Sequence, residues 1–390
     1  MQLVRLHTID ELLSAAANYN DLWRRSEVAL PTARAESLAI WLEKFAPRQS
    51  FELLVVVDAG RFAAALPLVG RRLKGLLPAA CLPVSPWWAS GELLVDASAD
   101  RPAAESAAAL DALIAGFARL RRPLVWLDAV RFATPRWQAF IAAAQRAGLP
   151  ASVRPQAVVG QVEIDHDWDD YQARWSKGHR HNMKRSLRLA EAAGGVQLRI
   201  ERAPAECDLP GLVRQGFEVE HRSWKGAAGS SVLSQPGMLE FYVEQARRLA
   251  AAGCLELVFL DRGGEPIAFE YGLTAKGTYF SYKVGYDERF AGLTPGQLLR
   301  LKLLERFHAE PGRTLLDFAG PLCRATAKWS TRVEPVGRLV IGAPTLAGRW
   351  ASAAYGAWRQ CRQAVFPERP AAAVSPGVRP RSPDFADYSS

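Results

Sequence analysis

The sequence predicts a mixed α/β (α+β) protein built from two copies of one unit, each a mostly antiparallel sheet flanked by helices. The chain has 390 residues, enough for two domains that each bury a core. Apolar residues recur with the alternation of strands in some segments and with the period of helices in others. A similar order of elements, a meander followed by a helix, a strand and a return strand, occurs in weak form in both halves. We predict an N-terminal domain over 1–156, a C-terminal domain over 157–343, an amphipathic helix over 344–366 and a disordered tail over 367–390.

The first half predicts three helices and several strands. The expected helices cover Asp21–Phe45, Arg101–Leu120 and Thr134–Ala147. Phe51–Val57 and the run after Gly60 form an expected hairpin, because Asp58, Ala59 and Gly60 supply its turn. The remaining expected strands cover Gly91–Val95 and Pro123–Ala129.

The second half repeats this order with sharper boundaries. We expect strands at Val158–Ile164 and Val196–Ile200, separated by a helix from about Asp169 to Ala193. Two helices, Gly211–Arg222 and Pro236–Ala252, lead into a meander with turns before Pro266 and at Gly277. The last expected elements are a helix beginning at Thr294 and strands at Thr314–Gly320 and Gly337–Gly342.

Composition narrows the possible functions. The net charge of +9 is compatible with nucleic acid, an anionic lipid surface or anionic substrates. The five cysteines are scattered and never in CxxC spacing, so a disulfide framework or a metal site is not expected and a cytoplasmic location fits. We find no secretory signal, no apolar run of about 20 residues, and no GxSxG, HExxH or Walker A motif.

The segment after the last meander strand is the strongest functional signal. A loop of small residues opens directly into a helix, with Thr294 as expected N-cap, Pro295 at the first helical position and Gln297 completing a capping box. Free amides at such a helix start can bind an anion. A plain strand-to-helix turn is the alternative interpretation. The candidate cofactor-binding residues are Ala291, Gly292, Leu293, Thr294, Pro295, Gly296 and Gln297.

Basic and aromatic residues mark candidate substrate contacts. Lys177, His181, Lys184 and Arg188 share one helix face, which is either a solvated face or a cationic wall for phosphates. The segment His221–Ser231 reads as a glycine-rich loop beginning near Trp224 and Lys225. We favour a capping and packing role for Trp224, with a substrate-shaping loop as the alternative.

The meander and the strand after it supply the candidate catalytic residues. Glu270 is the only acid on the small, polar face of its strand, and it forms either a cross-strand ion pair with Lys283 or a general base. Ser281, Lys283 and Gly285 are expected on one face of the next strand, with Tyr282 and Tyr286 on the other as candidate acids. Asp317 ends a buried strand and either acts as base or caps the following turn.

Five short motifs stand out in the second half: SWKG at 223–226, KxxYD at 283–287, TPG at 294–296, DFAG at 317–320 and AKW at 327–329. Together they resemble the CelD/BcsL-like (BioF2-like) acetyltransferases of the GNAT superfamily. A Trp-Leu pair at 41–42 and an Ala-Leu-Pro-Leu run at 65–68 extend the resemblance. Two departures stand out. Thr294 replaces the family's serine and keeps a hydroxyl, and Ala327 replaces a tyrosine and removes a phenol.

This resemblance implies two tandem GNAT-like domains, as in Fem-type transferases, with acetyl-CoA or another acyl-CoA as co-substrate and no metal. It implies an N-acyltransferase for an amine- or hydroxyl-bearing acceptor, linked to cellulose, exopolysaccharide or cell-envelope biosynthesis. Lys328 and Trp329 join the candidate substrate contacts through the AKW motif. The alternatives are a Fem-like enzyme that uses aminoacyl-tRNA and a non-catalytic partner of an exopolysaccharide synthase.

The segment after Ala343 could determine where in the cell the protein is found. Leu346, Trp350, Ala354 and Trp358 recur at helical spacing, with Arg349, Arg359 and Arg362 nearby. We favour a helix packed on its own domain. A helix on an anionic membrane surface is the alternative, and it would make a cytoplasmic protein peripheral to the inner membrane.

Overall fold

The chain folds into two compact units. The computed structural model describes residues 1–73, 75–87, 89–202 and 204–365, with the backbone alone for 358–365. Unit 1 comprises 1–28, 32–158 and the residues from Glu334 onward, and unit 2 comprises 29–31 and 159–333. Residues 334–343, which we had expected in the second domain, therefore cluster with unit 1. The expected tail at 367–390 lies outside the described residues.

Unit 1 is a mixed, mostly antiparallel sheet with helices around it. Its strands pair in the order β1-β2-β3-β4-β6-β13, with β4 and β6 parallel and β5 beside β3. The strands are β1 (Gln2–Leu6), β2 (Phe51–Asp58), β3 (Arg61–Leu73), β4 (Leu77–Cys81), β5 (Leu94–Val95), β6 (Leu124–Val130) and most of β13 (Arg332–Gly342). The helices are α1 (Ile9–Ser14), α2 (Ala16–Arg25), α3 (Ala35–Phe45), α4 (Ala103–Ala115), α5 (Pro135–Arg146) and α13 (Leu346–Val365).

Two of the expected helices of the chain are divided. The predicted helix over Asp21–Phe45 is two helices, since α2 ends at Arg25, a 3₁₀ turn follows at Pro31–Ala33, and α3 begins at Ala35. The predicted helix from Asp169 is divided at Ser176, whose side chain accepts a hydrogen bond from the His179 amide and starts a new helix.

Unit 2 has the same kind of sheet, in the order β7-β12-β11-β10-β9-β8. Its strands are the second part of β7 (Ala151–Glu163), β8 (Gln197–Glu201), β9 (Leu255–Arg262), β10 (Glu265–Ala275), β11 (Thr278–Tyr286) and β12 (Leu315–Pro321). Its helices are α6 (Trp168–Ala173), α7 (Lys177–Ala192), α8 (Leu209–His221), α9 (Trp224–Ala227), α10 (Met238–Ala251), α11 (Pro295–Ala309) and α12 (Arg324–Ala327). Both predicted meander turns are confirmed, and the second uses left-handed residues at Lys276 and Gly277.

Strands β11 and β12 run parallel but stay together only briefly. They pair at three positions, from Thr278 opposite Leu315 to Phe280 opposite Asp317. Beyond that point β11 continues to Tyr286 paired with β10 alone among the described strands. The start of α11 follows this divergent end of β11, so the parting of the two strands positions the candidate site.

Helix α13 packs on its unit through a different face from the one that we expected. Tyr355 contacts Trp126 with ring centroids 5.2 Å apart, and the Ser352 side chain and Gly348 backbone lie against Gly342. Leu346 and Trp350, in contrast, are 78% and 76% exposed. The helix therefore packs on its unit, but through residues other than Leu346 and Trp350 of the apolar stripe.

Candidate active site

A β-bulge lies where β11 leaves β12. Tyr271 of β10 pairs with Lys283, whereas its neighbour Gly272 pairs with Ser281, so Tyr282 is an extra residue in β11. Tyr282 interacts electrostatically with Tyr242 and Tyr271, and the Lys283 ammonium lies 5.9 Å from the Tyr242 ring centroid. The predicted alternation along β11 is therefore wrong here, because the bulge turns two consecutive side chains toward α10.

The start of α11 differs from the predicted capping box. Thr294 adopts a left-handed backbone with φ of 55°, and its hydroxyl lies 2.8 Å from that of Ser186 on α7 instead of capping the helix. The side chain of Gln297 accepts a hydrogen bond from the Trp329 indole at 3.1 Å. A non-glycine residue held in this conformation is strained, and such strain concentrates at functional sites.

The rest of the loop is open to approach. Residues Glu288–Leu293 form a 3₁₀ turn in which Ala291 and Gly292 are exposed and Leu293 is partly buried. A Cβ built on Gly292 has no heavy atom within 4 Å, and one on Gly296 would meet only the Tyr286 ring, at 3.6 Å. Pro295, at the first helical position, is buried.

Asp287 fixes the beginning of this turn. It is fully buried and accepts hydrogen bonds from Arg222 at 2.5 Å and from the backbone and side chain of Arg289. Burial alone would raise the pKa of Asp287, but the hydrogen bonds from Arg289 and Arg222 hold it below its usual value. The aspartate of the KxxYD motif is thus a structural anchor of the loop.

Helix α7 reaches this loop through the bond between Ser186 and Thr294. The polar residues predicted to share one face of this helix are exposed, whereas Met183 and Ala190 are buried. Those exposed residues are Lys177, His181, Lys184 and Arg188.

Glu270 is enclosed in an ion pair that the sequence did not indicate. It is 1% exposed and accepts a hydrogen bond at 2.5 Å from Arg300 of α11, which also donates to Ser281 at 2.7 Å. The predicted cross-strand pair with Lys283 is wrong, because Glu270 lies opposite Val284. The pair ties β10 and β11 to α11.

Asp317 is also buried and engaged. One carboxylate oxygen accepts from the Gln161 side chain at 2.6 Å, and the other accepts from the backbone amide of Ala319 at 2.7 Å. Ala319 has a left-handed backbone with φ of 54°. The alternative interpretation of Asp317, a residue that caps the following turn, is thus the one that the contacts favour.

Lys283 occupies a different environment from these acids. Burial and the nearby charge of Lys225, opposed by Glu220, together lower the pKa of Lys283 to about 8. The Lys225 ammonium donates to Glu220 at 2.8 Å and to the Val284 carbonyl at 2.6 Å. Two lysines and one carboxylate therefore meet beside the bulge.

The remaining candidates are scattered around unit 2. Trp224 is 61% exposed at the first position of α9, so its predicted packing role is wrong, and Ser223 caps that helix. Trp329 is buried, and its carbonyl accepts from the Tyr171 hydroxyl at 2.6 Å. Burial and the nearby Arg324 lower the pKa of Lys328. Burial and the neighbouring Glu288 raise that of Tyr286.

His179 is a buried residue to which the sequence analysis gave no role. Its ring lies 4.6 Å from that of Trp175 and 4.5 Å from that of Trp329, measured between centroids. Burial lowers the pKa of His179 to about 4, and the charge of Lys328 contributes. Trp175 lies four residues before His179, whereas Trp329 and Lys328 come from distant sequence, so the local signal for this environment was an imidazole on the buried side of α7.

Acid is expected to destabilise the protein through His179. In the unfolded chain this residue binds a proton near pH 6.5, and in the folded chain only near pH 4, so the stabilisation present above pH 6.5 is lost as the pH falls toward 4. We expect urea denaturation to show a loss about 2 kcal/mol larger in the wild type than in His179→Phe. His181→Phe, on the exposed face of the same helix, should keep the wild-type pH dependence. Identical pH dependence of His179→Phe and wild type would contradict the assignment.

The described residues contain neither a membrane-spanning helix nor a cluster of metal ligands. Among them, no helix combines the length and apolar character needed to cross a bilayer. Within the same residues, no group of three or more His, Cys, Asp or Glu side chains is suited to a metal ion.

Comparisons with known proteins define the class. Residues 177–326, which hold the bulge, the open loop and α11, match the family model described as an acetyltransferase (GNAT) domain. The predicted class of enzyme, an acyltransferase, is confirmed by this match. A GNAT domain implies an acyl-CoA donor and an acceptor as the general class of substrates. No protein of curated function matches the sequence.

Solved structures share the fold at low sequence identity. FemX is 10% identical, with a TM-score of 0.57 over 87% of this chain and 97% of the FemX chain. A protein of unknown function from Bacteroides thetaiotaomicron is 11% identical, with a TM-score of 0.51 over 86% of this chain and 97% of its own. The C-terminal domain of a putative lysylphosphatidylglycerol synthetase from Agrobacterium fabrum is 11% identical, with a TM-score of 0.50 over 88% and 96%. The predicted fold class, tandem GNAT-like domains with mixed sheets, is confirmed.

Proposed function

We propose that this chain is an acyl-CoA-dependent N-acyltransferase whose donor site lies in unit 2. One observation carries the proposal. Strand β11 leaves β12 after Phe280, and the open start of α11 follows directly, within the segment that matches the acetyltransferase domain.

The donor diphosphate would bind the loop from Ala291 to Gln297. The first-turn amide of Gly296 supplies a donor, and the exposed small residues Ala291 and Gly292 keep the approach free of side-chain bulk. The exposed cations of α7 add positive charge on an element bonded to the same loop. The thioester would lie along the half of β11 that has left β12, where a strand amide stabilises the oxyanion.

Lys283 is our candidate for the general base. The acceptor amine attacks the thioester carbonyl carbon, a C–N bond forms, the C–S bond breaks, and neutral Lys283 takes the proton of the amine. The departing thiolate takes a proton from Tyr282 or Tyr286, both on the divergent half of β11. Because Glu270 is bound by Arg300 and Asp317 by Gln161 and an amide, we assign these acids to positioning the strands.

The acceptor is proposed from the family resemblance. The motifs shared with CelD/BcsL-like enzymes favour an amine or hydroxyl of an exopolysaccharide, cellulose or cell-envelope precursor. Exposed Trp224, beside Lys225 and near the same end of β11, offers an aromatic face for a sugar ring.

A second candidate keeps the fold and changes the donor to aminoacyl-tRNA. The exposed Lys177, Lys184 and Arg188 of α7 favour it, because a phosphate backbone binds such a face. This donor would bind with an affinity that falls steeply as salt is raised.

The donor site is tested by ligand-dependent stability and one loop variant. Acetyl-CoA or a longer acyl-CoA at a hundred times its Kd should add about 2.7 kcal/mol in a thermal-shift assay. Gly292→Glu meets no heavy atom of the protein at its Cβ, so it should fold normally but weaken acyl-CoA binding by about tenfold or more through charge repulsion.

Gly211→Glu is the matched control, since this exposed position on α8 is equally free of neighbours. Equal acyl-CoA affinity of Gly292→Glu and wild type would remove the loop as the donor site. A stability gain with tRNA and none with any acyl-CoA would select the second candidate.

A further inference from the structure

Helix α13 has an inverted amphipathic arrangement. Its buried side is formed by small and polar residues, with Gly348 against Ala343 and Tyr355 against Trp126. Its exposed side is apolar at spacings i, i+4, i+7, i+8 and i+11. These exposed residues are Leu346, Trp350, Ala353, Ala354 and Ala357. A helix on a globular unit normally buries such a stripe, so this one is available to something outside the unit.

The positive charge of helix α13 indicates what kind of surface its apolar stripe could bind. Leu346–Val365 contains three arginines, Arg349, Arg359 and Arg362, and no acidic residue. Arg349 is exposed and directly precedes Trp350. Tryptophan and arginine beside an apolar stripe are typical of helices that lie in the interface of a bilayer, and the uniform positive charge complements anionic lipid.

We propose that α13 is a membrane-surface helix that binds this chain to an anionic bilayer through the apolar stripe around Trp350. A second copy of the chain fits this surface less well. A symmetrical pair would bring together two helices that each carry three arginines and no carboxylate, whereas anionic headgroups supply the opposite charge. The proposal does not depend on the proposed acyltransferase mechanism.

Vesicle co-sedimentation of the full chain tests the proposal. We expect binding to vesicles of equal parts phosphatidylcholine and phosphatidylglycerol, reduced by added salt, and little binding to phosphatidylcholine alone. The double variant Leu346→Ser with Trp350→Ser should lower the partition coefficient by about tenfold or more. Both positions are exposed, so the variant should fold with near wild-type stability.

Leu76→Ser is the matched control, because Leu76 is 81% exposed in a turn of the same unit and should bind vesicles like the wild type. Equal vesicle binding by the double variant and the wild type would overturn the proposal, as would absence of wild-type binding to both vesicle types. A wild-type dimer in light scattering that the double variant converts to monomer, without any lipid binding, would assign the stripe to a second copy instead.

Discussion

Replacing Glu270 with alanine is expected to lower the free energy of unfolding by about 3–5 kcal/mol, because it leaves the buried Arg300 guanidinium without its carboxylate. The same substitution removes an acceptor that holds β10 against α11. Urea denaturation, followed by tryptophan fluorescence, measures the change.

A double variant distinguishes the loss of the Glu270–Arg300 ion pair from the loss of a general base at Glu270. Glu270→Met with Arg300→Leu removes both charges and retains apolar volume, so most of the lost stability should return. A Glu270→Ala protein with wild-type stability and greatly reduced turnover would instead restore Glu270 as the general base.

Replacing Lys283 with methionine is expected to reduce acyl transfer by about 10²–10⁴-fold, the usual contribution of a general base. Because a base acts when deprotonated, the wild-type rate should rise with pH and level off above about pH 8, the pKa of Lys283. Lys225→Met removes the neighbouring positive charge, raises that pKa and moves the profile to higher pH. Glu220 and Tyr242 also face Lys283, and Glu220→Gln should move the profile the other way.

Chemical labelling gives a readout that needs no acceptor. The reactivity of Lys283 toward an amine-directed reagent is followed by mass spectrometry as a function of pH. The midpoint of this titration should lie near pH 8 in the wild type and at a higher pH in Lys225→Met. Lys44→Met, an exposed change on α3, is the control and should leave transfer unchanged. A Lys283 midpoint near that of an ordinary lysine, about 10.4, would exclude the assignment.

Local sequence predicted the meander well and the long-range contacts poorly. The turns at Gly264 and Gly277 could be predicted because a left-handed backbone favours glycine where it occurs. The Tyr282 bulge could not, since a bulge depends on the register of the partner strand. Arg300 and Glu270 are thirty residues apart, and no local pattern indicates that they pair.

The start of α11 was predicted in position but not in detail. The loop from Ala291 to Gln297 could be found from its small residues and Pro295, which do mark the start of a helix. The prediction that Thr294 caps the helix was wrong, because an N-cap residue needs an extended backbone. At the end of the preceding 3₁₀ turn, Thr294 has a left-handed backbone instead. The Trp329 partner of Gln297 likewise comes from beyond the next strand.

The bond between Ser186 and Thr294 has a mechanical consequence. A displacement of the strained threonine must either break this hydroxyl contact or carry α7 with it. A ligand that binds the proposed donor loop would therefore act on α7 at Ser186, nine residues from the first position of that helix, Lys177. If the loop binds the donor as proposed, the rate of donor release and the position of α7 would therefore change together.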